Sequence, residues 1–389
     1  AAITEPPVQT NRDPGRRIVI TGMGAVTNLG HDAASTWAGM REGRSGISAL
    51  QGDDFDGYGD VWSVHVAGQV KDWSPVPVVE HREARRLDRT SQFGLFAAQE
   101  AVDHSGIDFS KGDPERYGAV IGSGIGGIRT LEDGVLTMVE TNPRRINPFT
   151  VPRLMVNAIT GNVAIRFGLQ GPATAHATAC ASSGHAIGDA MEIMRRGLTA
   201  AMIVGGSEAA VTPLCVGSFM TMKALSTRDG DPTKVSRPFD QDRDGFVLSE
   251  GAAMFVIETL EHAKARGATI YAELVGAAHS CDAHHITAPD PKGSGANRSM
   301  KWALRDAGLN PTDIDYINAH GTSTPLGDGA EIAAVDHLFG DHARKSAGGK
   351  LMMSSTKSMH GHTLGASGAV ELIACVHAVR DGVIPPTIN

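Results

Sequence analysis

The sequence predicts an α/β fold in which helices cover a parallel or mixed β-sheet. Short apolar runs with strand character alternate along the chain with segments of helical period, which is typical of strand–helix–strand units. Glycine supplies 47 of the 389 residues, and this excess over the usual ~7% predicts many tight turns or close backbone contacts. The apolar fraction of 41% beside 20% charged residues excludes a disordered chain.

In the first half of the chain, three strands are predicted at residues 17–21, 117–121 and 201–204, where short apolar runs reach glycines. Helices are predicted at residues 93–105 and 183–196, from the spacing of their apolar positions. The glycines after the first and third strands predict sharp turns, at Gly22, Gly24, Gly205 and Gly206.

The second half repeats this pattern, with strands predicted at residues 270–275, 314–319 and 351–354 and helices at residues 299–307 and 364–380. Two of the predicted helices carry a clear apolar face. The side chains of these two faces are Ile187, Met191 and Met194 in the first half, and Leu372, Ile373, Val376 and Val379 in the second.

The recurrence of strand, glycine turn, helix and strand favours an internal duplication within one tightly packed unit. The seam falls near residues 266–268, which gives an N-terminal half at 16–267 and a C-terminal half at 268–389. Residues 1–15 are polar and proline-rich and contain no apolar core of a signal peptide. We expect a disordered N-terminal tail there.

Charge and cysteine content disfavour several classes of protein. The formal net charge of −8 disfavours nucleic-acid binding, which normally needs a basic surface. No apolar run approaches the ~18 residues that predict a membrane span, so we expect no membrane partner. The four cysteines form no CxxC pair, and their wide spacing fits a reducing cytoplasm better than a disulfide framework.

Cys180 is a candidate nucleophile because it lies where a short apolar strand meets the helix predicted at residues 183–196. In the first turn of a helix, unpaired backbone N–H groups and the helix dipole favour a thiolate and predict a thiol pKa below the usual ~8.5. Small neighbours in ATACASSG leave the sulfur approachable. The alternative is a buried structural cysteine, the commoner fate of a free thiol.

A second candidate segment, NAHGTSTP at residues 318–325, overlaps the end of a predicted strand. His320 lies at the carboxyl end of that strand, where α/β sheets bind their ligands. Thr322 and Thr324 offer hydroxyl groups to an extended polar ligand. The alternative is a turn whose hydroxyls bond neighbouring backbone groups.

A third segment, SSTKSMHGHTLG at residues 354–365, again joins a strand end to a helix. His362 lies at the helix start, where the positive end of the helix dipole favours a neutral imidazole, and Lys357 supplies a nearby cation. A single histidine in such a place is more often structural. One cysteine and two histidines at three strand ends, however, form the arrangement that a histidine-assisted cysteine nucleophile needs.

Two further patterns suggest other ligands. GSGIGG at residues 122–127 matches the glycine pattern of dinucleotide sites. No strand with an acidic end follows about 20 residues later, which disfavours a nicotinamide site that a binding titration would detect. A second group has the side chains of zinc ligands but no recognised ligand spacing, so we expect no metal site at His279, Cys281, His284 and His285.

These motifs, in this order, resemble those of the β-ketoacyl-acyl-carrier-protein synthases, as does SRPFDQDRDGFVLSEGA at residues 236–252. The similarity extends from residue 16 to residue 389 and is strongest to the elongating type II synthases of bacterial fatty-acid synthesis. It implies an α/β fold of the thiolase-like type, with two duplicated βαβαβαββ halves in αβαβα layers. It also implies a homodimer and an acyl carrier protein as partner.

The resemblance implies roles for residues that match the family's motifs. Cys180, His320 and His362 would form the catalytic triad, with Lys357 and Glu371 as supporting polar residues behind the histidines.

The resemblance also implies substrate contacts. Thr322 and Thr324 would contact the phosphopantetheine arm, Thr287 and Arg228 would lie near its phosphate, and Ile125 would line the acyl pocket.

Arg82 and Arg85, in HREARRLD, match basic residues that receive the acidic carrier protein in this family. The alternative is a solvated helix face.

The implied reaction is a decarboxylative Claisen condensation. An acyl group on Cys180 would react with malonyl-acyl-carrier-protein to give 3-oxoacyl-acyl-carrier-protein, the elongating step of bacterial type II fatty-acid synthesis. Loss of carbon dioxide supplies the driving force, so we expect no metal or nicotinamide cofactor.

Two alternatives share these motifs or follow from where the sequence ends. A polyketide-type ketosynthase carries the same triad. A non-catalytic scaffold partner is suggested because the sequence ends at PPTIN, before the family's Gly-Phe-Gly-Gly loop, which supplies one N–H of the oxyanion hole. We expect that loop to be unrepresented in this sequence rather than the protein to be inactive.

Overall fold

The computed structural model describes residues 13–56 and 61–389. The expected disordered tail lies mainly at residues 1–12, outside the described residues. At residues 13–15 the chain turns, and the Asp13 N–H donates to the Arg195 carbonyl oxygen at 2.9 Å. The strands are β1 (Ile18–Thr27), β2 (Ser48–Ala49), β3 (Val66–Ala67), β4 (Tyr117–Gly122), β5 (Ala173–His176), β6 (Ala201–Glu208), β7 (Gly251–Thr259), β8 (Ala272–Leu274), β9 (Tyr316–Asn318) and β10 (Met352–Ser354).

The helices have the following bounds in the described part of the chain: α1 (Ala33–Arg41), α2 (Asp53–Asp56), α3 (His81–Ala84), α4 (Arg89–Ser105), α5 (Ile128–Glu140), α6 (Thr150–Leu154), α7 (Ala158–Phe167), α8 (Ser182–Arg195), α9 (Pro213–Thr221), α10 (Leu260–Ala265), α11 (Ser294–Ala307), α12 (Pro325–Phe339), α13 (Lys357–His360) and α14 (Ser367–Asp381). Among these, no helix is both long and apolar enough to cross a lipid bilayer.

Among the described residues, the largest sheet has six strands in the order β5-β4-β6-β7-β1-β8. β4 pairs in parallel with β5 and β6, whereas β7 is antiparallel to β6 and β1. The sheet is therefore mixed, as the alternation of strands and helices allows. β8 pairs antiparallel with β1, so a strand from the second half of the chain completes this sheet.

Both faces of this sheet are buried, and the core lies on its two sides. In β7, Ala253, Phe255 and Ile257 pack in the apolar cluster that contains α8 and α14. Met254 and Val256 point the other way, into the cluster that contains α4 and α7. Strands covered on both faces read as continuous apolar runs, which explains why β1, β4 and β6 were predicted from the sequence. β7, which lies in the middle of the same sheet, was not predicted.

The predicted apolar faces of α8 and α14 are buried with one exception. Val379 is 75% exposed, because the last turn of α14 extends past the packed layer and residues 379–382 are all exposed. Leu372 is half-buried and packs against the core. The buried members of the two faces are Ile187, Met191, Met194, Ile373 and Val376.

The turns predicted after the first and third strands are wrong, because β1 and β6 continue through their glycines. A Cβ atom on Gly22 would lie 2.2 Å from the Ala101 carbonyl oxygen, and one on Gly24 would lie 2.2 Å from that of Ala97. These two glycines therefore let α4 pack directly on β1, which a side chain at either position would prevent.

The carboxyl ends of β9 and β10 meet at one edge, because these strands are parallel partners from Tyr316 opposite Met352 to Asn318 opposite Ser354. α14 contacts both β9 and the large sheet. This arrangement places the segments that follow β9 and β10 beside the start of α14, where two of the candidate motifs meet.

Candidate active site

Cys180 lies in a 3₁₀ turn, Ala179–Ala181, that joins β5 to α8. Cys180 therefore lies just before α8. The prediction that it lies in the first turn of the helix is wrong. Ala179 has a φ of 51°, in the left-handed region that side-chain-bearing residues rarely adopt. Ser182 fixes the turn, since its Oγ donates to the Ala179 carbonyl at 2.7 Å and accepts from the Thr178 N–H at 2.9 Å.

Burial raises the pKa of the Cys180 thiol, whereas Lys357 and the Cys180 backbone N–H act in the opposite direction. The expectation of a lowered thiol pKa is therefore wrong, because desolvation outweighs the effects of the cation and the backbone. The resting thiol keeps its proton at neutral pH, so a nearby base must accept that proton when the sulfur attacks a thioester.

His362 is the base within reach. Its Nε2 lies 3.0 Å from Cys180 Sγ, and its Nδ1 lies 2.9 Å from Ser367 Oγ at the start of α14. The His362 backbone is held on both sides, because its N–H donates to the Val247 carbonyl at 2.8 Å and its carbonyl accepts from the Ser249 N–H at 3.0 Å. The ring is therefore fixed in front of the sulfur.

Burial and the Lys357 charge lower the pKa of His362 well below its usual value. The neutral imidazole predicted from the sequence is confirmed. Its cause differs from the predicted one, because His362 lies between α13 and a 3₁₀ turn, Leu364–Ala366, that precedes α14. Desolvation and a neighbouring cation keep the ring uncharged.

His320 follows β9 by two residues, at the strand end where it was predicted. Its ring is perpendicular to that of His362, with 5.2 Å between the ring centroids. The backbone N–H groups of His320 and Gly321 both donate to Glu331 at 2.7 Å, which fixes this turn. Desolvation of the ring and the Lys357 charge lower the pKa of His320, while one side of the residue stays exposed to solvent.

The three segments converge on one point. Cys180 Sγ and one ring nitrogen each of His320 and His362 lie within 4.8 Å of one another. In the described part of the chain, no other group of cysteine, histidine and acidic side chains is spaced closely enough to share a metal ion. The possible zinc ligands noted in the sequence, at residues 279–285, do not form such a group.

Lys357 and Glu371 form an ion pair behind the histidines. Lys357 is 1% exposed, and its Nζ lies 3.3 Å from His320 Nδ1. Burial raises the pKa of Glu371 to about 7, against the opposing effect of Lys357. The structure thus places both predicted supporting residues in the second layer of the site.

Thr322 and Thr324 lie on the turn after His320, with their hydroxyl oxygens 2.9 Å apart. Thr324 also caps α12, since its Oγ1 accepts from the Gly327 N–H at 3.2 Å. The alternative interpretation of these hydroxyls, local backbone bonding, is therefore confirmed for Thr324, while Thr322 bonds only Thr324 among the contacts in this turn.

The other three predicted substrate residues lie on separate segments of the chain. Ile125 is half-buried and packs in an apolar cluster that includes Phe246 and Leu364. The Phe246 ring lies 5.2 Å from the His362 ring. The Arg228 guanidinium donates to the Asp242 carbonyl oxygen. Thr287 is exposed, and its N–H donates to His285 Nδ1 at 3.2 Å.

Arg82 and Arg85 are both exposed, within and directly after the one-turn helix α3. This position fits both interpretations of the basic run, a solvated helix face and a surface that binds an acidic partner.

The GSGIGG loop does not present its amides to solvent. The N–H groups of Gly124 and Ile125 donate to the carboxylate of Glu208, which is fully buried at the end of β6. The backbone groups that bind a phosphate in a dinucleotide site therefore bind an internal carboxylate here, which explains the false resemblance.

Sequence reasoning missed three polar residues. Glu331 bonds the turn of His320 and Ser367 bonds the ring of His362, while Glu208 bonds the GSGIGG loop. Glu208 left a signal, a single acid at the end of the apolar, glycine-rich strand AMIVGGSE. Glu331 and Ser367 left none, because each is an ordinary polar residue of a helix, and only the tertiary fold brings them to His320 and His362.

Comparison with known proteins identifies the family. The model of the "Beta-ketoacyl synthase, N-terminal domain" matches residues 15–263, and that of the "Beta-ketoacyl synthase, C-terminal domain" matches residues 271–389. The chain is 44% identical over 374 residues to the 3-oxoacyl-[acyl-carrier-protein] synthase 2 of Synechocystis sp., covering 96% of this chain and 88% of the relative. Identity to the Staphylococcus aureus (strain COL) protein of that name is 45%, with the same coverage.

A solved structure gives the same fold. The chain superposes with a TM-score of 0.86 on a type II PKS ketosynthase in complex with its acyl carrier protein (AntDE:AntF), at 31% identity, covering 96% of this chain and 88% of that one. The α/β architecture is thus the thiolase-like fold of ketosynthases. With both family models matched across nearly the whole sequence, the chain belongs to the β-ketoacyl synthase family.

Proposed function

We propose that this protein catalyses the elongating condensation of bacterial type II fatty-acid synthesis. It joins an acyl group carried on Cys180 to malonyl-acyl-carrier-protein and releases carbon dioxide and 3-oxoacyl-acyl-carrier-protein. The observation that supports this most directly is the convergence of one thiol and two uncharged imidazoles within 4.8 Å. The relatives named 3-oxoacyl-[acyl-carrier-protein] synthase 2 support the substrate.

In the first half-reaction, Cys180 attacks the thioester of an acyl carrier protein. His362 Nε2, at 3.0 Å from Sγ, accepts the thiol proton and returns it to the departing phosphopantetheine sulfur. Because the proton that leaves Cys180 ends on the carrier thiol, His362 is neutral again when the acyl-enzyme has formed.

In the second half-reaction, malonyl carrier protein occupies the emptied site. His320 donates a hydrogen bond to the malonyl thioester oxygen. His362 donates a second one in its other neutral tautomer, with the proton on Nε2 and with Nδ1 accepting from Ser367 Oγ at 2.9 Å. The two bonds stabilise the enolate formed as carbon dioxide leaves. The enolate carbon attacks the acyl carbonyl, the carbon–sulfur bond to Cys180 breaks, and the thiolate takes up one proton. The step balances without a metal or a nicotinamide cofactor.

The carrier protein docks, in this proposal, on the exposed arginines Arg82 and Arg85. Thr322 and Thr324 bond its phosphopantetheine arm, and Thr287 and Arg228 bind the phosphate, while Ile125 borders the acyl chain. The complex of the related ketosynthase with its acyl carrier protein supports such docking in the family. The four free cysteines fit the reducing cytoplasm that we propose as the protein's location.

We also propose a homodimer built on the edge strand β5 and on α5 and α6. β5 ends the six-stranded sheet. α5 and α6 expose apolar side chains that include Leu136 (54% exposed) and Val139 (73%). Val139→Glu should convert the dimer to a monomer in sedimentation analysis. Val379→Glu, at the equally exposed Val379 on α14, should leave it dimeric. An unchanged mass for Val139→Glu would contradict this interface.

The activity is tested with malonyl carrier protein labelled at its methylene carbon and an acyl carrier protein thioester. The proposed function predicts a labelled 3-oxoacyl carrier protein and loss of carbon dioxide. A polyketide-type ketosynthase remains the second candidate, favoured by the AntDE:AntF superposition. It would accept its own 3-oxo product for further rounds without reduction, whereas the fatty-acid enzyme would stop after one condensation.

A further inference from the structure

We propose that Glu208 is a positioning residue that holds the acyl-pocket loop, residues 122–127, against the turn after His362 and thereby sets the enzyme's acyl-length selectivity. This inference rests on the proposed function. It gives a role to the buried carboxylate and to the glycine motif, neither of which the condensation mechanism uses.

Four donors from two separate segments converge on this one carboxylate. Oε2 accepts from the Gly124 N–H at 2.6 Å and from the Gly365 N–H at 3.0 Å. Oε1 accepts from Ser123 Oγ at 2.9 Å and from the Ile125 N–H at 3.2 Å. Glu208 is 0% exposed, and in the part of the chain that the structure describes no lysine or arginine forms an ion pair with it.

A buried carboxylate without a cation is costly to desolvate, and the hydrogen bonds that it accepts must offset this cost. Only a group that accepts on both oxygens satisfies three backbone N–H groups and one hydroxyl at once. The arrangement therefore fixes geometry, because each oxygen bridges donors whose relative position it determines.

The two bridged segments border the reacting sulfur. A Cβ on Gly365 would lie 2.2 Å from the Gly124 nitrogen, so loop and turn touch with no space between them. A Cβ on Gly124 would lie 3.6 Å from the carbonyl oxygen of Ala179, the residue before Cys180. Glu208 thus holds together two pieces of backbone, residues 123–125 and Gly365, that lie beside the turn of Cys180.

The side chains beside these glycines are the ones that an acyl chain would meet. Ile125 and Leu364 pack in the same apolar cluster, and Leu364 has a φ of 45°, a strained conformation that its neighbours must maintain. His362 is anchored separately, through Val247 and Ser249. Loss of the Glu208 hydrogen bonds should therefore alter the shape of the acyl pocket more than the reactivity of His362.

Glu208→Gln is the matched substitution, since it keeps the volume and replaces one carboxylate oxygen, an acceptor, with an NH2 group that only donates. Whichever way the amide turns, at least one backbone N–H loses its acceptor. The measurement is the rate of Cys180 acylation, followed by intact mass, for two acyl lengths that the unmodified enzyme distinguishes. We expect the ratio of the two acylation rates to fall by about tenfold. The rate of malonyl carrier protein decarboxylation should stay within about threefold of that of the unmodified enzyme.

Glu100→Gln is the control, because Glu100 is a half-buried carboxylate that also accepts from two backbone N–H groups, those of Ala25 and Ala33, at 2.7 and 2.9 Å. It should lower stability and leave the preference unchanged. Should Glu208→Gln fail to fold, Ser123→Ala removes one of the four donors and should shift the preference in the same direction by about threefold. An unchanged preference, or an equal loss for both lengths and for decarboxylation, would overturn the inference.

Amide hydrogen exchange separates this inference from the proposed function. If the unmodified protein gains no acyl group, the proposed function fails. Amide exchange still tests whether Glu208 holds residues 123–125 and Gly365 in place. In Glu208→Gln, the amides of Gly124, Ile125 and Gly365 should exchange at least about tenfold faster than in Glu100→Gln. Equal exchange rates in the two variants would contradict the claim that Glu208 holds the loop and the turn together.

Discussion

Lys357 Nζ lies 3.3 Å from His320 Nδ1, and this contact fixes which nitrogen of His320 carries the proton. A protonated lysine only donates hydrogen bonds, so Nδ1 accepts. The lowered pKa keeps the ring neutral, and its single proton therefore lies on Nε2. His320 is thus prepared as a donor toward a thioester oxygen, and Glu371 holds Lys357 in place for this purpose.

The Lys357–Glu371 pair allows structural and catalytic effects to be separated. Lys357→Met leaves Glu371 buried without a partner and should lower the free energy of unfolding by about 3–5 kcal/mol. The double variant Lys357→Met/Glu371→Leu should regain most of that stability in urea unfolding. It should still lack malonyl decarboxylation, because His320 has lost the group that sets its tautomer. Recovery of decarboxylation in the double variant would show that Lys357 serves stability alone.

His320→Ala should separate the two half-reactions. Decarboxylation of malonyl carrier protein should fall by about 100–10,000-fold, the usual effect of removing a positioned proton donor. Acyl transfer to Cys180 should fall much less, since His362 is the ring in contact with the sulfur. His337→Ala, at an exposed position on α12, serves as the control. Equal loss of both activities in His320→Ala would contradict the division of roles.

The buried histidines predict a stability that falls with acidification. The pKa of His360 is lowered from 6.5 to about 3 by burial and the Lys357 charge. As pH falls below about 6.5, His360 binds a proton in the unfolded chain but stays neutral in the folded chain. The free energy of unfolding therefore decreases. For His360 alone, this loss between pH 7 and pH 5 amounts to about 2 kcal/mol.

His360→Gln should remove that contribution. The difference in unfolding free energy between pH 7 and pH 5 should shrink by about 2 kcal/mol in urea titrations. His337→Gln should leave it unchanged, because His337 is exposed in the folded protein. A pH dependence in His360→Gln identical to that of the unmodified protein would mean that folding does not change the pKa of His360.

Arg85→Glu tests the docking surface. Its apparent KM for an acyl carrier protein thioester should rise by about tenfold, and more at low salt, because charge complementarity chiefly assists encounter. The KM for a small pantetheine thioester should stay constant. Arg116→Glu reverses the charge of another exposed arginine and should affect neither substrate. A similar rise for both thioesters in Arg85→Glu would indicate a disturbed active site and not a lost carrier contact.

The sequence was sufficient for β1, β4 and β6, for α4, α8 and α14, and for the three segments that meet at Cys180. It was not sufficient for β7, which lies between β6 and β1 in the large sheet and was not predicted. The incorrect predictions share one cause. Contacts between segments that are distant in sequence determine the conformation, pKa and hydrogen-bond partners of the residues concerned. Gly22 and Gly24 look like turn residues and instead admit α4 against β1. Cys180 looks like a helix-activated thiolate, yet burial raises its pKa. No local pattern reveals that Glu208 occupies the amides of the glycine loop, because the two are distant in sequence.

The central claim is that Cys180 carries the acyl group. The most direct test is the intact mass of the protein after incubation with an acyl carrier protein thioester, with the C-terminus of the protein verified beforehand. The mass should increase by one acyl group, and Cys180→Ala should show no increase. If a protein verified to carry the Gly-Phe-Gly-Gly loop gains no mass, or if Cys180→Ala gains it equally, the condensing-enzyme account is contradicted and the scaffold alternative is favoured.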